Sequence, residues 1–104
     1  MMLYVPTAAT IAADAEAADV VYSAIEAFEA ALVAFEAVRD EYPHSEERYR
    51  RRDALHSARL AMRKAATCAA QAVDWRRPLG EVSPSVEACA AVEAAEAAHV
   101  GWYL

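Results

Sequence analysis

TAATIAADAEAADVVYSAIEAFEAALVAFEAVRDE, residues Thr7 to Glu41, contains neither Gly nor Pro. Its large apolar residues Ile11, Val21, Ile25, Phe28, Leu32 and Phe35 recur at intervals of three and four, and Ala15 and Ala18 fill the same stripe. That is the period of an α-helix, not of a strand. One continuous helix over 7–41 is expected, and at 1.5 Å per residue it would be about 50 Å long. A compact chain of about 100 residues has a radius of gyration near 13 Å. Such a helix would project beyond a globule and need a partner along its length.

Outward from this helix, Met1 to Pro6 reads as an extended apolar arm and Thr7 as an N-cap. On the other side, Tyr42-Pro43-His44-Ser45 breaks the helix, because a proline disfavours helical geometry in the residue before it. Ser45 can cap a second helix, with Glu46 and Glu47 placed favourably in its first turn. That helix is expected over about 46–75, with the stripe Leu55, Ala58, Met62, Ala66, Ala69 and Val73. Arg76-Arg77-Pro78-Leu79-Gly80 then reads as a stop. Ser83-Pro84 is an N-cap and first-turn pair for a third helix over about 84–100. It carries Val86, Cys89, Val92, Ala97 and Val100, and Gly101 ends it ahead of the apolar tail Trp102-Tyr103-Leu104.

A short turn makes the first two helices antiparallel. If the chain folds about residues 43–44, Leu32 meets Leu55, Ile25 meets Met62, Val21 meets Ala66 and Ala18 meets Ala69. The same register sets Glu36 beside Arg52 and Glu29 beside Arg59. The fold class is therefore all-α: a long antiparallel helical hairpin plus a shorter third helix, in one domain over 1–104. Tyr22, Val33, Val38 and Val20 lie off the first helix's main stripe, and the third helix covers only about half the hairpin. A homo-oligomer is expected to complete the bundle, most simply an antiparallel dimer with a four-helix core.

Composition agrees with helices packed at close range. Hydrophobic residues make up 58% of the 104, and close to half of them are alanine, the best helix former and a poor filler of wide cores. The net charge of −6 argues against a general nucleic-acid or anionic-membrane binder. All but one of the 10 basic residues nevertheless lie between Arg48 and Arg77. No apolar run is long enough to span a bilayer, and the N-terminus has no basic region of a signal peptide, so a cytoplasmic protein is expected. Cys68 and Cys89 match no zinc spacing and read as buried free thiols, or as a link between the second and third helices in an exported protein.

Three sets of residues are candidates for function. Arg52, His56, Arg59 and Arg63 follow one another along the second helix as a possible contact for phosphates or another anion. The competing reading pairs them with acids of the first helix. Glu29, Glu36, Glu93, Glu96 and His99 form a possible metal set, since Glu96-x-x-His99 has the acid-to-His spacing of di-iron bundles. Glu93 falls within the third helix's stripe, where a carboxylate needs an arginine, solvent or a metal. Tyr22, Val33, Trp75, Trp102, Tyr103 and Leu104 are candidate anchors for a protein partner. No nucleophile elbow or glycine-rich phosphate loop is present in a chain with two glycines. The expected role is a non-enzymatic scaffold, adaptor or regulatory subunit that works through helix packing, without a cofactor. A carboxylate-rich metal bundle and an anion-binding second helix are the alternatives.

Overall fold

A computed structural model describes residues 8–40, 45–73 and 82–99. They form three helices, α1 (Ala8–Glu36), α2 (Glu46–Ala72) and α3 (Pro84–Ala98), with no strand among the described residues. The expected N-cap at Thr7, the loop about Pro43, the stop at 76–80, and Trp75, Trp102, Tyr103 and Leu104 all lie outside the described residues.

The caps follow from local chemistry. Ser45 has extended backbone geometry and its hydroxyl accepts the Arg48 N–H at 3.1 Å. Ser83 is also extended, accepts the Val86 N–H at 3.4 Å, and is followed by Pro84 at the start of α3. Each side chain satisfies a donor that a helix start leaves unpaired.

The first helix is shorter than its sequence stretch suggests: it ends at Glu36, and residues 37–40 form a turn. Val38 N–H bonds the Phe35 carbonyl at 3.0 Å, which tightens the last turn, and Val38 is buried. Arg48 of α2 donates from Nε to the Arg39 carbonyl at 3.1 Å. A side chain from α2 thus takes up a carbonyl in the turn that follows α1.

The buried positions of α1 are Asp14, Ala18, Val21, Ile25, Phe28, Leu32 and Phe35, an alternation of four and three without a break. Leu55, Met62 and Ala69 of α2 recur every seven residues and are buried too, the pattern of two helices meeting along one seam. The expected stripe needs correction at its start. Ile11 and Ala15 are exposed, because the seam extended back from Ala18 by one turn reaches Asp14. In α3 the buried set is Ser85, Ala88 and Val92, while Val86, Ala97 and Glu93 are exposed. Cys68 is exposed and Cys89 half-buried, so the expectation of two buried thiols fails at Cys68. Both thiols are free.

The third helix lies in the groove of the hairpin and runs parallel to α1. Ser85 binds Asp14 and His99 stacks edge-on against Phe28, both at the same sequence offset. It runs antiparallel to α2: Arg63 pairs with Glu96, and the Cys89 thiol donates to the Ala66 carbonyl. α3 therefore accompanies α1 from about Asp14 to about Phe28. Toward the turn only two helices remain. There the Arg48 guanidinium lies over the Phe35 ring at 5.6 Å, and Arg51 Nη1 donates to the Ala34 carbonyl at 3.0 Å. Long arginine stems cover apolar surface while their heads reach polar atoms. The radius of gyration is 17.5 Å, against the 13 Å or so of a compact chain of this size.

Candidate functional site

Two polar centres organise the described residues. The first is buried. The Asp14 side chain sits inside the three-helix end and receives the Ser83 hydroxyl at 2.7 and 2.9 Å and the Ser85 N–H at 2.9 Å. The Ser85 hydroxyl donates to the Asp14 backbone carbonyl at 3.0 Å. A carboxylate of α1 thereby caps the start of α3, where unpaired N–H groups and the helix dipole favour negative charge. This centre ties α3 to one height along α1, and every donor named here is matched by an acceptor. Its role is structural.

The second centre lies between α2 and α3. Arg63 forms a two-pronged pair with Glu96, Nε to Oε1 at 2.8 Å and Nη2 to Oε2 at 3.2 Å, and Arg59 Nη2 approaches the same carboxylate at 3.7 Å. The expected pairing of Arg59 with Glu29 is thus replaced by an ion pair with Glu96 of α3. Glu36 and Arg52 are both exposed and form no ion pair with each other. The register places those residues at the same height, but helix rotation turns them to solvent. Next to this pair is an open cavity of about 380 Å³ lined by Arg63, Ala66, Thr67, Val92, Glu93 and Glu96. One turn further along the groove is a smaller apolar pocket of about 120 Å³, lined by Ala70, Val73, Val86 and Cys89. Burial raises the Cys89 thiol above its ordinary pKa, with a smaller push from the Glu93 charge. The thiolate that would attack an electrophile is therefore disfavoured at neutral pH.

The candidate anion-binding residues are divided by this arrangement. Arg59 and Arg63 turn toward Glu96, whereas Arg52 is exposed and His56 half-buried. At the N-terminal end of α2, Arg50 pairs with Glu46 and Glu47, and Arg51 Nε with Glu47 at 2.8 Å. The Arg51 hydrogen bond holds the Glu47 carboxyl below its ordinary pKa. The arginine-rich segment is largely engaged with neighbouring carboxylates and carbonyls.

The candidate metal residues are dispersed. Glu29 and Glu36 are exposed on α1, Glu93 is exposed on α3, Glu96 belongs to the arginine pair, and His99 packs on Phe28. Among the described residues no group of three or more His, Cys, Asp or Glu side chains is placed to hold a metal ion. Glu96, not Glu93, is the acid of α3 that takes the arginines.

Of the candidate anchors, Tyr22 and Val33 stand exposed on α1. Sequence reasoning did not single out Tyr49 and Leu60, which stand exposed on the outer side of α2. Their signal was present: both fall outside the Leu55–Met62–Ala69 seam. No described helix is long and apolar enough to cross a membrane. Comparison with protein-family models, curated proteins and solved structures finds no match to this chain.

Proposed function

We propose that this protein is a non-enzymatic helical scaffold, adaptor or regulatory subunit that acts by packing helix faces against a protein partner, with copies of itself as the first such partner. The observation that carries the reading is the set of large apolar side chains held in solvent on α1 and α2, on helices whose inner seams are already filled. Rigid helices that display apolar side chains in register suit helix-to-helix recognition. The two polar centres support it in a different way: their charges are spent on joining α3 to the hairpin.

Solution mass by light scattering at two concentrations, on protein also assayed for bound metal, tests this reading. A metal-free protein heavier than one 11.3 kDa chain is expected. A protein that stays at one chain's mass at both concentrations contradicts self-association. A stoichiometric bound metal would bring the carboxylates of α1 and α3 forward in its place.

A further inference from the structure

Ile11, Tyr22 and Val33 are 50%, 43% and 66% exposed and follow one another every eleven residues along α1. Tyr49 and Leu60 are 49% and 68% exposed and have the same spacing on α2. Eleven residues make just over three full helical turns, so each series forms a nearly straight ridge. We infer that the α1 ridge of one copy docks on the α2 ridge of a second copy, so that copies join side by side and head to tail. The inference rests on the self-association reading above and names the surfaces that would carry it.

The matched spacing is the first argument. With the two helices antiparallel, as α1 and α2 already are within one chain, Tyr22 set against Leu60 of the second copy brings Val33 against its Tyr49. Ridges of different pitch could not make both contacts at once. Charge is the second argument. α1 carries six acids and no Lys or Arg, while α2 carries seven Lys and Arg against three acids. In the register set by the ridges, Glu26 comes level with His56 of the second copy, Asp19 with its Arg63, next to Lys64, and Glu29 with its Asp53, next to Arg52. Asp53 is the one acid of α2 at this height. Within a single chain Asp19, Glu26 and Glu29 form no ion pair with Lys64, His56 or Arg52, while Arg63 is already held by Glu96. The excess of acids on α1 and of bases on α2 selects this pairing over α1 on α1 or α2 on α2, both of which oppose like charges.

The two ridges are different surfaces on different helices. Their contact is therefore heterologous and leaves one ridge free at each end, so the assembly grows into a ring or an open row. A single helix-on-helix contact is small, which makes association dependent on concentration.

The test uses the full chain. The mass of the unmodified protein is expected to climb with concentration past that of two 11.3 kDa copies. Tyr22→Arg/Val33→Arg and, separately, Leu60→Glu are each expected to hold the mass at one copy, with helical circular dichroism unchanged because all three side chains are exposed. Mixed in equal amounts, the two variants are expected to return a one-to-one pair, since each keeps the ridge the other has lost. Val86→Arg, at an exposed apolar site on α3, is expected to leave assembly unchanged. A mass that stops at two copies, variants that assemble like the unmodified protein, or a mixture that stays at one copy would each overturn this contact while leaving self-association standing. An unmodified protein that never exceeds one copy would remove self-association itself.

Discussion

Asp14 is 2% exposed, yet it is the residue that places α3. A buried carboxylate is costly unless its oxygens are fully bonded, and here two serines of another helix supply the donors. Replacing Asp14 with alanine leaves the Ser85 N–H and the Ser83 hydroxyl without acceptors in a closed site. The expected loss is about 2–3 kcal/mol, measurable as a lower midpoint in denaturant. Asp14→Asn keeps one acceptor oxygen and should lose less. The serines were legible as a helix start, because Ser-Pro carries its meaning locally. That their oxygen and N–H would turn to an acid some seventy residues earlier in the chain was not. A sequence signal existed even so: the four-three alternation from Phe35 back to Ala18 continues to Asp14, and an acid on an inner seam calls for a partner.

Within α2, neighbouring residues have opposite fates. Met62 is fully buried at the centre of the seam and Leu60 stands in solvent. Met62→Ala is expected to cost about 2–5 kcal/mol through lost contacts and a cavity, and Leu60→Ala within about 0.5 kcal/mol. Equilibrium unfolding of the two variants at low protein concentration checks the contrast. The period of three and four identifies the helices and their inner faces well, since burial on one side leaves that period in the sequence. It locates their ends less well. α1 ends at Glu36, and Arg48 of α2 bonds the Arg39 carbonyl in the turn that follows, a contact made by a residue the stretch does not contain. The ion pairs show the same division. Opposite charges on facing helices were readable, but Arg59 and Arg63 choose Glu96 of α3 over the acids of α1, because α3 lies in the groove toward which they point.

At the scale of the molecule, a chain that gains partners through α1 and α2 should be more stable when concentrated, since association stabilises the folded state by mass action. The thermal midpoint of the unmodified protein is expected to rise with protein concentration, and that of Tyr22→Arg/Val33→Arg to stay constant; scanning calorimetry at several concentrations separates them. The sequence by itself determined the all-α class, the three helices, the serine starts of α2 and α3, and the antiparallel hairpin. Each of these depends on chemistry within a few residues or on a period that repeats along one stretch. Only the tertiary structure decided that α3 runs parallel to α1 at one height, that Asp14 is its cap, that Glu96 collects two arginines, and that Tyr49 and Leu60 share a ridge facing outward. Those outcomes depend on which helix faces meet and how far each helix is rotated, and that is settled by contacts between residues far apart in the chain.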